Sequence, residues 1–331
     1  MTDALRFGIL GAARIAPAAL IEPACQGTEA RVVVVAARDR TRAARFAEIH
    51  NIQRVADDYL AVVEDPEVDA VYNPLPQSLH LEWTVRALRA GKHVLCEKPF
   101  AANAREAREM VDAASASGLV LAEAFHYRYH PMFERILGTV KSGKLGALRH
   151  VEGRFTTAIA DTTDLRHQYQ TAGGATMDLG CYALHWLRQV VGEQPRVASA
   201  TATIGNPNID VAMTVNLEFP SGPKGLMHCS MDPDQRFATS LEVVGERGTL
   251  FADNPMAPQL GHDLTIKTGD QVTHEQFGTE TTYRYQLVAF IEAVRTGRPL
   301  PTGGEDAVLT MQLIDDVYRA AGLPVRGAET A

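Results

Sequence analysis

Over the first part of the chain, short apolar runs alternate with segments whose apolar positions recur every three or four residues. The runs at residues 5–10, 31–36, 68–72, 92–96 and 119–125 predict strands. The run RVVVVA at 31–36 has no polar alternation, which fits a strand buried on both faces, as in a parallel sheet covered by helices. Between the runs, Leu81, Val85 and Leu88 give one helix an apolar face that Gly91 ends. Asn103 followed by Glu106 has the form of a capping box, and Gly118 closes the same helix. The pattern predicts a doubly wound α/β domain over residues 1–125.

After residue 126 the rhythm changes. Helices are predicted at 132–142, 176–191, 285–296 and 305–321, and strands at 148–155, 197–204, 211–219, 225–231, 240–244 and 249–252. Clusters such as GNPN and PSGPKG separate the later strands, the mark of an antiparallel meander. The second domain, 126–331, therefore reads as α+β.

Composition narrows the function classes. The 331 residues suit two domains, and 32 Lys+Arg against 40 Asp+Glu give a net charge of -8 with no long block of one sign, which argues against a nucleic-acid partner. The opening MTDALRFGIL lacks the basic and apolar regions of a signal peptide, and no apolar run approaches the ~20 residues of a membrane span. A soluble cytoplasmic protein is expected. Cys25, Cys96, Cys181 and Cys229 lie far apart without a C-x-x-C pair and read as buried free thiols.

The first candidate chemistry is GILGAARIA, residues 8–16, which follows a strand and opens a helix. Gly11, Ala13 and Ala16 stand where a dinucleotide fingerprint has three glycines, so the backbone from Gly11 through Ala13, Arg14 and Ile15 can approach a pyrophosphate at a helix N-terminus. At the end of the second strand, an NAD site places a carboxylate for the ribose hydroxyls, whereas this chain has Ala37 and Arg38. An arginine there can pair with a 2′-phosphate, which favours NADP with NAD possible. The competing reading is a solvated arginine in a basic turn with Arg40 and Arg42.

A second candidate lies after Gly173-Gly174. Asp178, Tyr182 and His185 fall at i, i+4 and i+7 on one helix face, and Tyr182 and Trp186 beside the glycines suggest a pocket wall. His126 and His130 have a spacing that shares zinc on a helix, but Pro131 suits the first turn of the following helix, so the pair precedes it and no metal is expected.

GAARIA, NPLP with His80, GKHVLCEKP, AEAFHYRYHP and GGATMDLGCYALHWL together resemble the glucose-fructose oxidoreductase / inositol dehydrogenase / MocA family along nearly the whole chain. The resemblance implies a Rossmann domain and a C-terminal α/β domain with a large open, mostly antiparallel sheet, the last helix packing back on the Rossmann domain. It also implies a bound nicotinamide cofactor and a homodimer or homotetramer formed through the open sheet. Asn73, Pro74, Leu75, His80, Glu97 and Lys98 become cofactor contacts. In that family the Glu-Lys-Pro turn carries a cis proline bond, and its lysine reaches the substrate hydroxyl, which makes Lys98 catalytic. Inositol-dehydrogenase-like members have a histidine four residues after the aspartate. Tyr182 stands there instead, resembling the branch of dimeric dihydrodiol dehydrogenase and NADP-dependent sugar dehydrogenases. Tyr182 is then the proton carrier, Asp178 a catalytic partner that accepts from a neighbouring hydroxyl, Arg166 a contact to substrate or nicotinamide, and His185 a group that touches the substrate or supports those that do.

The expectation is an NADP-preferring oxidoreductase acting on a hydroxyl or carbonyl of a sugar, a sugar derivative or a cyclic diol, with Tyr283, Arg284 and Tyr285 in the pocket floor of the second domain. The rivals are a cofactor-binding regulator without turnover and a metal-dependent hydrolase using His126 and His130.

Overall fold

The computed structural model describes residues 3–327. The chain forms two compact units. One takes the residues up to Ala101 with Arg105–His126 and Tyr283–Val308, and the other takes Ala102–Ala104, Tyr127–Thr282 and Leu309–Ala331. This partition differs from a single cut at residue 125. Helix Thr282–Thr296 counts with the first unit because its Leu287, Phe290 and Ile291 join the core of Phe7, Ile9, Val35 and Leu95. The last helix, Glu305–Ala320, divides at Leu309, its start counting with the first unit and the rest with the second.

The first unit holds strands β1 (Leu5–Leu10), β2 (Ala30–Ala36), β3 (Arg54–Val55), β4 (Ala70–Asn73), β5 (His93–Cys96) and β6 (Leu121–Glu123). They pair in parallel in the order β3-β2-β1-β4-β5-β6. The last four residues of β1 and β2 and all of β4 are buried, as expected for strands sandwiched between helices. Strand β3 escaped the sequence pattern because two residues make no apolar run. The order reverses between β1 and β4, and in such sheets ligands lie beyond the carboxyl ends of the strands at that point.

The second unit holds β7 (Leu148–Thr156), β8 (Arg196–Ile204), β9 (Asp210–Glu218), β10 (Lys224–Ser230), β11 (Ala238–Gly245), β12 (Gly248–Asp253), β13 (Asp263–Thr268) and β14 (Gln271–Glu275). Their order is β14-β13-β12-β11-β7-β10-β9-β8. All pairs are antiparallel except β7 with β10, so β7 interrupts the expected meander. The β13–β14 hairpin was not anticipated, although Gly269-Asp270 is a two-residue turn signal; β14 is too exposed and polar to read as a strand.

One face of this sheet buries Val151, Met213, Met227, Leu241 and Leu250. Helix Cys181–Val191 lies close over it because Gly153 offers no side chain: a Cβ there would stand 3.2 Å from the Ala183 Cβ and carbonyl oxygen. On the opposite face Thr214, His228, Arg154 and Ser240 stand in register across four strands. No helix among the described residues is long and apolar enough to cross a membrane. Cys96, Cys181 and Cys229 are buried free thiols, but Cys25 is exposed, since it ends the short surface helix Glu22–Cys25.

Candidate active site

In the first unit the candidate residues gather at the carboxyl ends of β1, β2, β4 and β5. Gly11 follows β1, its amide donates to the Ala36 carbonyl at 2.6 Å, and its φ of +94° is one that L side chains resist. A Cβ on Gly11 would come within 3.2 Å of Leu75 Cδ2, so the turns after β1 and β4 touch. Beyond the glycine Ala13 is half-buried and Arg14 and Ile15 are exposed, and the chain then enters a wide helical turn, Pro17–Ile21, in which the Glu22 amide bonds Pro17 five residues back.

Arg38 is exposed two residues past β2. The nearest carboxylate in sequence, Asp39, is engaged as the N-cap of helix Arg40–Ile49, accepting from the amides of Thr41 at 2.8 Å and Arg42 at 3.2 Å.

The turns after β4 and β5 interlock. The Glu97 amide donates to the Asn73 carbonyl at 3.0 Å, and the fully buried Asn73 side chain donates to Thr84 and accepts from the Leu75 amide. Pro74 is half-buried in the same turn. His80 is also fully buried, with Nε2 2.8 Å from the Leu75 carbonyl and Nδ1 3.1 and 3.2 Å from the Pro99 and Phe100 carbonyls. Burial lowers its pKa to about 4, outweighing the three carbonyls that favour the charged ring.

Lys98 is half-buried and the Lys98–Pro99 bond is cis. Its neighbour Glu97 accepts from Tyr72 Oη at 2.6 Å, and Phe100 N donates to Glu123 Oε1 at 2.9 Å. Sequence reasoning missed Tyr72 and Glu123, since Tyr72 stands within one strand and Glu123 ends another, each as one residue of a buried run.

In the second unit the chain runs from Arg166 through Gly173-Gly174 into Thr176–Gly180, again a wide turn with Cys181 N bonding Thr176 O, and continues as Cys181–Val191. The face read as a pocket wall is buried: Asp178 is 8% exposed, Tyr182 5% and His185 0%. Arg166 Nε donates to Asp178 Oδ2 at 2.7 Å and Nη1 to Asp164 Oδ1 at 3.0 Å, and Asp178 is the main cause holding Arg166 above its ordinary pKa. The Gly174 amide donates to the Arg166 carbonyl at 2.9 Å and the Asp178 amide to the Gly174 carbonyl at 3.0 Å, so one turn fixes both partners.

Tyr182 packs among Phe155, Tyr127 and Trp186, with ring centroids 5.5, 6.0 and 6.2 Å away. His185 points inward, Nδ1 lying 2.5 Å from Tyr127 Oη. Tyr127 went unremarked in FHYRYHP, although a tyrosine beside paired histidines was a usable signal.

The other singled-out residues have local partners. The His126 and Tyr283 rings pack at a tilt of 36°, centroids 4.0 Å apart, and both belong to the first unit, which departs from the expected second-domain floor. Arg284 pairs there with Glu29. His130 caps helix Pro131–Lys141 by accepting from Met132 N.

A family model described as "Oxidoreductase family, NAD-binding Rossmann fold" matches residues 5–125, and one described as "GFO/IDH/MocA C-terminal domain" matches residues 133–251. The chain is 36% identical over 319 residues to D-xylose 1-dehydrogenase (NADP+) 2 of Haloferax volcanii, covering 96% of this chain and 97% of that one. It is 32% identical over 290 residues to trans-1,2-dihydrobenzene-1,2-diol dehydrogenase of Mus musculus, covering 82% and 86%. Among solved structures, a 3-ketoreductase from Actinomadura kijaniata in complex with NADP and TDP-benzene superposes with a TM-score of 0.89 at 27% identity, covering 96% of this chain and 98% of that one.

Proposed function

The chain belongs to the GFO/IDH/MocA family of oxidoreductases, and on that premise we propose that it is a cytoplasmic, NADP-preferring enzyme that interconverts a hydroxyl and a carbonyl on a sugar, a sugar derivative or a cyclic diol. The observation that carries the reading is the interlocked edge of Gly11, Asn73, Leu75, His80 and the Glu97–Phe100 turn, which sets a lysine beside a glycine cradle at the switch point of a parallel sheet.

The residues fit a nicotinamide dinucleotide. Gly11 leaves the backbone bare, Ala13 is half-buried, Arg14 and Ile15 remain at the surface, and Asn73, Pro74, Leu75, His80 and Glu97 shape the adjoining turns. Arg38 stands exposed just past β2 where an NAD site has a carboxylate, and a guanidinium there suits a 2′-phosphate, which supports NADP over NAD. When bound, the cofactor donates or accepts hydride.

The chain's own groups handle the proton and the oxygen. Lys98 holds the reacting oxygen, and Tyr182 takes or gives its proton. An isolated phenol has a pKa of about 10, and a cation within ~4–6 Å favours the phenolate. Asp178, paired with Arg166, accepts from a neighbouring substrate hydroxyl, while Arg166 borders the substrate. His185, held by Tyr127, supports Tyr182 from behind. The half-exposed sheet face is where copies of the chain would meet as a dimer or tetramer, which sedimentation mass distinguishes.

The test is the absorbance of reduced nicotinamide with NADP or NAD against aldoses beginning with D-xylose, inositols and cyclic diols, and the reverse reaction with matching ketones. Turnover preferring NADP is expected. Cofactor binding with no turnover on the whole panel would overturn the reading in favour of a regulator.

A further inference from the structure

A buried ion pair lies behind the turn that carries Asp178, and neither the family motifs nor the mechanism uses it. Arg326 and Asp210 are both 0% exposed. Arg326 Nη2 donates to Asp210 Oδ1 at 2.8 Å, Nε to the Gly173 carbonyl at 2.7 Å and Nη1 to the Pro324 carbonyl at 3.1 Å. The guanidinium lies over the Tyr318 ring, 4.1 Å from its centroid, with Tyr169 at 5.2 Å. Asp210 also accepts from Tyr318 Oη at 3.0 Å, and its second oxygen accepts from the Thr176 amide at 2.7 Å. Burial pushes the Asp210 carboxyl above its ordinary pKa, and these donors, Arg326 foremost, oppose that rise.

The pair grips both ends of one turn: Arg326 holds the carbonyl of Gly173 and Asp210 the amide of Thr176, the first residue of the helix bearing Asp178 and Tyr182. Gly174, between them, has φ +132°, and a Cβ there would lie 2.2 Å from Asp210 Oδ1, 2.8 Å from Tyr318 Oη and 2.9 Å from Arg326 Nη2. The turn is therefore moulded against the charges. Burying such a pair is a poor source of stability, since desolvation offsets the attraction, so its value lies in fixing geometry.

We infer that Arg326, acting through Asp210 and the Gly173 carbonyl, is a positioning residue that sets the Arg166–Asp178 pair and the first turn of the Tyr182 helix for the hydroxyl–carbonyl chemistry. The inference rests on the roles proposed for Asp178 and Tyr182. Misplacing a reacting group by about 1 Å costs on the order of 100-fold in rate, which sets the scale of the effect.

The test compares full-length Arg326→Met and Arg326→Lys with the natural chain. The readouts are kcat, the Kd for NADP and amide hydrogen exchange over residues 173–182. Arg326→Met is expected to lower kcat by roughly 100-fold, leave the Kd for NADP unchanged and speed exchange over 174–180. Arg326→Lys should lose less, because an ammonium keeps the charge for Asp210 but lacks the fork that also holds Gly173. In a Tyr182→Phe background the added loss from Arg326→Met should shrink, since the group being positioned is gone.

A folded Arg326→Met protein with the natural kcat overturns the inference, whatever its stability. A loss of kcat and NADP binding in the same proportion also overturns it, because that is plain unfolding. If Arg326→Met does not fold, Arg326→Lys is read by the same criteria. If the natural chain turns over nothing in the panel, the functional reading fails separately; exchange then decides, with faster exchange over 174–180 upholding the grip and unchanged exchange overturning it.

Discussion

Two glycine turns open the two helices on which the function depends, and they are built in opposite ways. The turn at Gly11 is held by a backbone hydrogen bond to Ala36 and by the exposed Arg42, whose Nη2 donates to the Ala12 carbonyl at 2.7 Å, and it leaves Arg14 and Ile15 at the surface. At Gly173-Gly174 a buried guanidinium and carboxylate hold the turn, and every residue of Thr176–Gly180 is buried. Both lead into a wide helical turn. The contrast suits the proposed tasks: a surface that trades one cofactor for another needs bare backbone and open space, whereas groups that move a proton need side chains fixed to fractions of an ångström.

The sharpest way to break the comparison is alanine at each glycine. Gly174→Ala drives a methyl into Asp210 and Tyr318, and the expected loss is about 4 kcal/mol or more. Gly11→Ala should lose only about 1–2 kcal/mol, the strain of a left-handed L-residue, because Leu75 is a side chain that can give. Urea denaturation of the two variants decides; equal losses would erase the distinction.

Chemistry separates the halves next. Tyr182→Phe should cut kcat by roughly 100- to 10,000-fold while the Kd for NADP stays put. Stopped-flow single turnovers and fluorescence titration provide the two numbers, and intact turnover would sink the tyrosine assignment. Arg38→Ser should do the converse: a charge-assisted contact is worth about 1.5–3 kcal/mol, so the KM for NADP should rise roughly 10- to 150-fold with little change for NAD.

Stability should also depend on pH. His80 and His130 are both lowered to about 4, burial being the first cause in each, so between pH 4 and 6.5 the unfolded chain binds more protons than the folded one. Their contribution is complete above about pH 6.5 and is lost as pH falls toward 4. Thermal melts across that range should show the decline, and His80→Gln should make it shallower.

What could be read from sequence followed physical range. Strands β1, β2 and β4 announced themselves because a strand covered on both faces must be apolar throughout, and Gly11, Asn73 and Glu97 could be placed because each directly follows or ends such a run. Hairpin β13–β14 was obscured by Lys267, Gln271 and His274 at a solvent-facing edge. The wide turn at Thr176–Gly180 shifts hydrogen bonds by one residue, a change no apolar period reports, so the spacing of Asp178, Tyr182 and His185 was read as a regular helix face. Arg326 was invisible for another reason. It lies 116 residues from Asp210 and 153 from Gly173, and a lone arginine after Leu323-Pro324 carries no local sign of either partner.

The threading of the chain limits how this protein can be recombined. Residues 283–308 return to the parallel sheet after the whole eight-stranded sheet has been made, and the following stretch returns to the second unit. A fragment ending at residue 126 would present the core of Phe7, Ile9 and Val35 without Leu287, Phe290 and Ile291. The cofactor half therefore cannot be lifted out as one contiguous cassette. A graft that exchanges the second unit for a relative's must splice at three joints, near residues 126, 283 and 309.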